Sequence, residues 1–268
     1  MCMSEHSQKK AVITGATSGI GKAFARVFAE QGCDLIITGR RQEKINRVAG
    51  EIRKSYARDV EVILLDLTDA DKTEAFIERL QQEKDIEVLV NNAGFGMRYT
   101  FTDGEIGTFE DMLKVHSTVP MKLMHAVIPA MKAKGTGAII NVASTAAFFP
   151  LPRSAVYSAT KSFITVLSEA VHIELKGTGI NVQALCPGMT RTDFHSKIGK
   201  DPNTFYRTKG VMKAMTSEEV VKISLACLKK DKVVCVPGFN YKFLTSIPRL
   251  VPKSILYKLA ALARQRDT

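Results

Sequence analysis

The run AVITGATSGIGKAFARVFAEQG, residues 11–32, sets three glycines, at 15, 19 and 21, between an apolar stretch and a helical one. AVIT (11–14) is short and apolar, which predicts a strand. From Gly19 onward the apolar residues fall at 20, 23, 24, 27 and 28, a helical spacing that ends at Gly32. A strand, a glycine-rich turn and a helix start make a setting for a pyrophosphate. The first N–H groups of a helix have no intrahelical partner and carry partial positive charge. Glycine lets phosphate oxygens approach the backbone and lets the helix lie close on the strand. Gly15, Gly19 and Gly21, with Thr17, Ser18 and Ile20 between them, are therefore candidate dinucleotide-binding residues. Their spacing is GxxxGxG rather than GxGxxG, and taken alone it also suits a plain tight turn between strand and helix.

Outward from this turn the same rhythm repeats. CDLIITG (33–39) reads as a strand, EKINRVAGEIRKSYA (43–57) as a helix, VEVILLD (60–66) as a strand, DADKTEAFIERLQQE (69–83) as a helix and IEVLV (86–90) as a strand. A long helical region over about 105–134 precedes the strand GAIINVA (137–143). The helix 155–177, the strand INVQALCPG (180–188), the helix 217–230 and a last strand KVVCVP (232–237) follow. Apolar, β-branched strands alternating with helices predict an α/β protein: one Rossmann-type, doubly wound parallel sheet of about seven strands with helices on both faces. No linker or composition shift divides the 268 residues, so they are read as a single domain with its core at about 8–240 and a helical extension at about 241–268.

The second strand tests what the glycines hold. Where such folds bind NAD, an acidic residue near the end of that strand takes the ribose hydroxyls. Here the strand ends in TGRR, with Gly39 at the acid's place and Arg40 and Arg41 after it. A carboxylate repels a 2′-phosphate, whereas a guanidinium pairs with it in two-pronged fashion. The pattern favours NADP over NAD. Two solvated surface arginines would read the same way.

Composition bounds the rest. Hydrophobic residues make up 45% and charged residues 24%, ordinary for a globular chain. Cysteines at 2, 33, 186, 227 and 235 form no CxxC and no zinc spacing, which suits reduced thiols in a reducing compartment. The histidines at 6, 116, 125, 172 and 195 form no metal-ligand group, so no metal is expected. Without an apolar leader or an uncharged span, a cytoplasmic location is expected, at most peripheral at a membrane. The net charge of +11 comes from scattered basic residues, and no nucleic-acid-binding signature accompanies it; a solvated basic surface and a basic patch for an acidic ligand both remain.

Further motifs fall in order along the chain: NNAG (91–94), NVAS (141–144), YSATK (157–161) and CPGMTRT (186–192). Tyr157 and Lys161 are four apart and share a helix face. An ammonium there is expected to lower the tyrosine pKa from its usual value of about 10. That would bring a proton donor and acceptor toward neutral pH. Ser144 ends a strand, where ligands of open parallel sheets collect, and its hydroxyl is placed to hold a carbonyl oxygen beside Tyr157.

Together with TGATSGIG, these motifs resemble the short-chain dehydrogenase/reductase family over about residues 8–240. The resemblance implies hydride transfer between NADP(H) and a carbonyl carbon. Tyr157 would move the proton, Ser144 steady the oxygen, and Lys161 tune Tyr157 and bind the nicotinamide ribose. It also implies that Asn92 and Gly94 border the cofactor and that Asp66 lies near the adenine. Pro187, Gly188, Thr190 and Thr192 would close over the nicotinamide end. Homo-oligomers through the helices around 105–134 and 155–177 are common in the family.

One position departs from the family pattern. The family often has an asparagine in the helix before the fifth strand, whose backbone carbonyl holds a water on the path from the lysine to solvent. Here His116 occupies that place and joins the catalytic candidates. Pro120 has no N–H for the carbonyl four residues back, which is that of His116. A helix kinked there would leave this carbonyl free for a water, whatever the side chain. A histidine packed without function is the competing reading.

The expected substrate is lipophilic. Phe95, Met97 and Tyr99 follow NNAG; Phe148, Phe149 and Leu151 lie between Ser144 and Tyr157; Phe194, Phe205 and Tyr206 follow the sixth strand. Apolar walls with few polar anchors suit a ketone, an aldehyde or an acyl chain. An NADPH-dependent carbonyl reductase is the leading reading. A 3-oxoacyl-thioester reductase, using CoA or acyl carrier protein, is the runner-up, and a non-catalytic NADP-binding regulator is the alternative of another class. The tail 250–266 carries an apolar stripe at 255, 256, 259, 262 and 263 flanked by basic residues. It suits packing on protein or peripheral contact with an anionic membrane.

Overall fold

The computed structural model describes residues 9–97, 99–192 and 213–265. β1 (Lys10–Ile13) leads into α1 (Gly19–Glu30), then β2 (Asp34–Gly39), α2 (Gln42–Tyr56), β3 (Val60–Leu64), α3 (Ala70–Gln82) and β4 (Ile86–Asn91). α4 (Ile106–Leu113), a π-helical turn (Lys114–Thr118) and α5 (Val119–Lys134) precede β5 (Gly137–Val142). A 3₁₀ turn (Thr145–Phe148), α6 (Ala155–Glu174), β6 (Ile180–Leu185), α7 (Ser217–Leu228), β7 (Val234–Cys235), α8 (Phe239–Leu250) and α9 (Lys253–Gln265) complete the order.

The strands form a seven-stranded sheet in the order β3-β2-β1-β4-β5-β6-β7, parallel throughout. Strand periodicity divides the core in two. Val12, Ile36, Leu89 and Ile139 point to one face and pack with Ile77 of α3, Leu123 of α5 and Ile164 of α6. Ile13, Ile37, Val90 and Ile140 point to the other and pack with Phe24 of α1, Ile52 of α2 and Val220 of α7. Burial on both faces is why these strands are apolar runs rather than alternating ones. Local chemistry sets several helix ends. Asp69 caps α3 by accepting the Lys72 N–H, Thr216 and Glu219 form a capping box at α7, and Gly135 ends α5 at φ +69°.

Three elements differ from the sequence reading. The helical region 105–134 contains the π turn directly before Pro120. Proline offers no N–H to an α-helical ladder, and here the Val119 N–H reaches five residues back to the Lys114 carbonyl. β7 shrinks to two residues, because as the sheet's last strand it pairs only at Ala184↔Val234 and Leu185↔Cys235. The tail holds two helices where one stripe was read, and α8 runs through Pro248.

The topology positions the site. The loops after β1 to β6 emerge at the carboxyl ends of the strands, where the winding of the sheet reverses on either side of β1 and β4.

Candidate functional site

A cavity of about 400 Å³ opens at those strand ends. Gly15, Thr17, Ser18, Gly19 and Ile20 line it from the first loop, Arg40 and Arg41 from the second, and Asp66 from the third. Asn92 and Gly94 line it from the fourth, Ser144 from the fifth, Tyr157 and Lys161 from α6, and Pro187, Gly188, Thr190 and Thr192 from the sixth.

The glycine loop is a backbone cradle. Gly15 and Gly19 have φ of +69° and +57°, conformations open to glycine. A Cβ on Gly15 would meet the Ala93 Cα at 2.8 Å, and one on Gly19 the Thr192 Cγ2 at 2.8 Å. Gly21 does not line the cavity, contrary to the expectation that it holds the ligand. A Cβ there would meet the Asn92 Nδ2 at 2.4 Å and the Gly15 carbonyl oxygen at 2.5 Å, so its bareness serves the close approach of α1 to the loop. Asn92 braces that loop by donating from Nδ2 to the Thr14 and Gly15 carbonyls, each at 3.0 Å.

The arginines divide their contacts. Arg41 donates from Nη2 to the Thr17 and Ser18 hydroxyls at 3.0 and 3.2 Å, directly over the glycine loop. Arg40 pairs with Asp66 at 3.3 Å in an exposed bridge. Burial works against the Asp66 carboxylate, but the Thr68 N–H and hydroxyl and the Arg40 charge together hold its pKa below the usual value. A Cβ on Gly39 would meet the Thr17 Cγ2 at 2.4 Å. A side chain at the position an NAD-selective acid would take would have to displace the Thr17 methyl, and the mouth beside it carries two guanidinium groups. A ligand with an extra phosphate fits this end.

At the other end the side chains are packed deep. Lys161 is 5% exposed and donates from Nζ to the Val142 carbonyl at 2.8 Å. Burial lowers its pKa to about 8. The Ser144 hydroxyl accepts the Ala146 N–H at 3.1 Å and is hydrogen-bonded to the Tyr157 phenol. The expected lowering of the Tyr157 pKa is overturned. Burial raises it, and only the Ser144 hydrogen bond pulls the other way. The physical reason is desolvation of the phenolate, while the Lys161 ammonium, 5.8 Å from the ring centroid, is itself desolvated and turned to a carbonyl.

His116 is 2% exposed and lies behind the cavity wall rather than in it, contrary to a direct catalytic contact. Its Nε2 accepts the Phe95 N–H at 3.0 Å. Its Nδ1 lies 3.2 Å from the Thr160 hydroxyl, whose own proton goes to the Tyr157 carbonyl at 2.9 Å. The network assigns the neutral ring with its proton on Nδ1. Burial and then the Lys161 charge hold its pKa well below the ordinary histidine value. The ring meets Tyr157 edge-on at 5.7 Å and Phe95 at 5.4 Å.

Sequence reasoning missed several contributors. Thr160 is an unspecified position in the Tyr-x-x-x-Lys pattern, although it lies three residues after Tyr157, on the same side of the helix. Tyr241 of α8 accepts the Met189 N–H at 3.2 Å and donates to the Lys213 carbonyl at 3.3 Å. A Cβ on Gly188 would meet the Tyr241 ring at 2.3 Å, so α8 backs the wall that Pro187 and Gly188 form. Among the apolar residues expected at the substrate, Phe95 lines the cavity, and Met97 and Tyr99 line a small neighbouring hollow that Tyr157 also walls. Phe148 packs against the core instead, Phe149 and Leu151 line neither space, and Phe194, Phe205 and Tyr206 lie outside the described residues. Among the described residues no group of three or more potential ligands could hold a metal.

Residues 9–203 match the family model described as short chain dehydrogenase. A very-long-chain 3-oxoacyl-CoA reductase of Anas platyrhynchos is 35% identical over 74% of this chain and 66% of its own length. A short-chain dehydrogenase from Sphingobium yanoikuyae, solved in complex with NADPH, is 32% identical, covers 86% of this chain and 88% of its own, and superposes with a TM-score of 0.80. A bulky-bulky ketone specific alcohol dehydrogenase from Comamonas testosteroni is 28% identical, covers 96% and 92%, and has a TM-score of 0.77.

Proposed function

The chain belongs to the short-chain dehydrogenase/reductase family, and on that premise we propose that it is an NADPH-dependent reductase of a bulky, lipophilic ketone or aldehyde. One observation carries the reading. The Ser144–Tyr157 hydrogen bond and buried Lys161 share a single cavity with the glycine cradle and the arginine mouth.

Each residue's part follows from its place. The backbone of Gly15–Gly19 binds the pyrophosphate, the Arg41 guanidinium takes the 2′-phosphate, and Arg40 with Asp66 borders the adenine end. Bound NADPH supplies the hydride. Ser144 holds the substrate oxygen against Tyr157, which delivers the proton from its phenolic oxygen. The raised pKa of Tyr157 suits this direction, since reduction needs the neutral phenol and alcohol oxidation needs the phenolate. Lys161 supports the charge left on Tyr157 when the proton moves and contacts the ribose. His116 holds the Phe95 loop to α6 and so positions Tyr157 from behind. Its carbonyl, which Pro120 cannot serve with an N–H, remains the proposed seat of a water leading to Lys161.

Support for an apolar substrate comes from Phe95, Met97 and Tyr99 beside Tyr157 and from the preference of the Comamonas relative for bulky ketones. The duck relative supports a second reading, a 3-oxoacyl thioester. Exposed Phe163, Val166 and Ile173 on α6, with Leu113 and Met121, suit self-association.

A panel that follows NADPH absorbance tests these readings. It sets bulky aryl and alicyclic ketones against small hydrophilic carbonyls and 3-oxoacyl-CoA esters. Bulky ketones are expected to have the highest kcat/KM. Preference for the CoA esters moves the assignment to the thioester. Preference for hydrophilic carbonyls, or no NADPH consumption with any compound, rejects the proposal.

A further inference from the structure

We propose that α8 and α9 form a docking surface for an anionic lipid bilayer. The usual surface helix turns its apolar stripe inward, and α8 does so only in part, with Leu244 and Ile247 half-buried and larger apolar side chains left outside. Its buried residues are Tyr241 and Thr245, one helical turn apart. Its outward side carries Phe239, Phe243 and Leu250, exposed at 82%, 66% and 82%, and Lys242 beside them. Spacings of four and eleven residues place these three apolar side chains on one stripe. α9 adds exposed Ile255 and Tyr257 between exposed Lys253 and Lys258.

Charge selects the occupant. From Phe239 to Arg266 the sequence holds six basic residues, Lys242, Arg249, Lys253, Lys258, Arg264 and Arg266, and no Asp or Glu. A second copy of the same surface would bring like charges together across a two-fold axis. An anionic headgroup layer neutralises them while the acyl boundary takes the aromatic and aliphatic side chains. Among the described residues no helix is long and apolar enough to cross a membrane, so the contact is one of lying on the surface. The helix is not loosely attached. Tyr241 ties it to the Met189 N–H and the Lys213 carbonyl, next to the cavity wall at Gly188. Docking through α8 thus sets the cavity's Pro187–Gly188 side near the lipid. The proposal stands on the tail alone and does not depend on the reductase reading.

Flotation of the full chain tests it, with vesicles of phosphatidylcholine alone and of phosphatidylcholine with one third phosphatidylglycerol. Binding is expected on the anionic vesicles only, falling as salt rises. Lys242→Gln/Lys253→Gln/Lys258→Gln is expected to lower partitioning by about 100-fold, at roughly fivefold per lysine. Phe239→Ser/Phe243→Ser/Leu250→Ser is expected to lower it by about tenfold or more. NADPH binding, followed by cofactor fluorescence, should match the parent in both variants and shows that they fold. Failure of the parent to bind anionic vesicles overturns the proposal. So does light scattering in which the serine variant alone converts a dimer to monomers, because the stripe would then be a contact between copies.

Discussion

The two ends of the cavity are built on opposite electrostatic terms. At the mouth, Arg40 and Asp66 are about half exposed and their bridge sits in water. At the floor, Lys161 and, behind it, His116 are almost fully buried, and their polar side-chain atoms are held by named partners. Charge is cheap to place at the first end and weakly felt there. It is costly at the second, and each group's protonation state is set by its neighbours. Substitutions at the floor should therefore act on rate and those at the mouth on cofactor affinity.

The largest expected effect is at the floor. Tyr157→Phe removes the proton donor and leaves the cradle intact. Its kcat should fall by about 100- to 10,000-fold, with NADPH affinity by fluorescence titration unchanged. A mutant that retains kcat would break the division at once.

The pH profile sharpens it. The Lys161 ammonium is lost as pH rises through about 8. The Tyr157 phenol, with its raised pKa, stays protonated well beyond that. Reduction, which uses both protonated groups, should have a kcat/KM flat below about 8 and falling above it. Oxidation of the matching alcohol, which needs the phenolate, should rise with pH. In Lys161→Arg the falling limb near 8 should vanish, whatever the absolute rate, because a guanidinium keeps its charge. Persistence of that limb would assign it to another group.

At the mouth the two arginines should separate. Arg41→Ala is expected to raise the NADPH Kd by about 10- to 100-fold, the worth of a charge-assisted hydrogen bond of about 1.5–3 kcal/mol, and to leave the NADH Kd unchanged. Arg40→Ala removes an exposed pair and should cost no more than about fivefold. Equal losses for the two cofactors would reject 2′-phosphate recognition at Arg41.

The mouth and the sheet were legible in sequence for the same reason. Glycines at φ above zero, β-branched runs buried on both faces and arginines after Gly39 are local signals, each imposed by backbone geometry near its own residues. The floor was legible only as identities. YSATK named Tyr157 and Lys161, but the direction of the Tyr157 shift depends on how much water the whole fold removes, which no spacing encodes. α8 falls within the helical extension read at 241–268, but which way it faces was not legible, for a different reason. Its fully buried positions are Tyr241 and Thr245 while Phe239, Phe243 and Leu250 face out, so much of the hydrophobic pattern that normally reports a core points to the wrong side. Pro248 then masked the helix further. Gly21 stands in the sequence as a cofactor-binding candidate and His116 as a catalytic one, yet what they touch comes from elsewhere in the chain: Asn92 in one case, Phe95 and Thr160 in the other.

His116 gives the smallest effect and the finest test of the floor. An imidazole that relayed protons would need to change state during turnover. Here Nε2 already accepts from Phe95, and protonating it would set two donors against each other in a site where burial and the Lys161 charge both oppose the cation. A positioning role asks only for one acceptor and one donor, which an asparagine amide also carries, though on a shorter side chain that weakens the contact with the Phe95 N–H. His116→Asn should therefore lower kcat by no more than about fivefold, near the 1 kcal/mol of one weakened hydrogen bond, and leave the pH profile unmoved. His116→Leu fills the space but strands the Phe95 N–H. It should cost about 1–3 kcal/mol in stability to urea, with kcat falling alongside as Tyr157 loses its edge-on neighbour. If His116→Asn instead cost more than about 100-fold, as loss of an acid–base group does, or removed a limb from the pH profile, the ring would be taking part in proton transfer. The floor would then hold two titrating partners for the substrate rather than one.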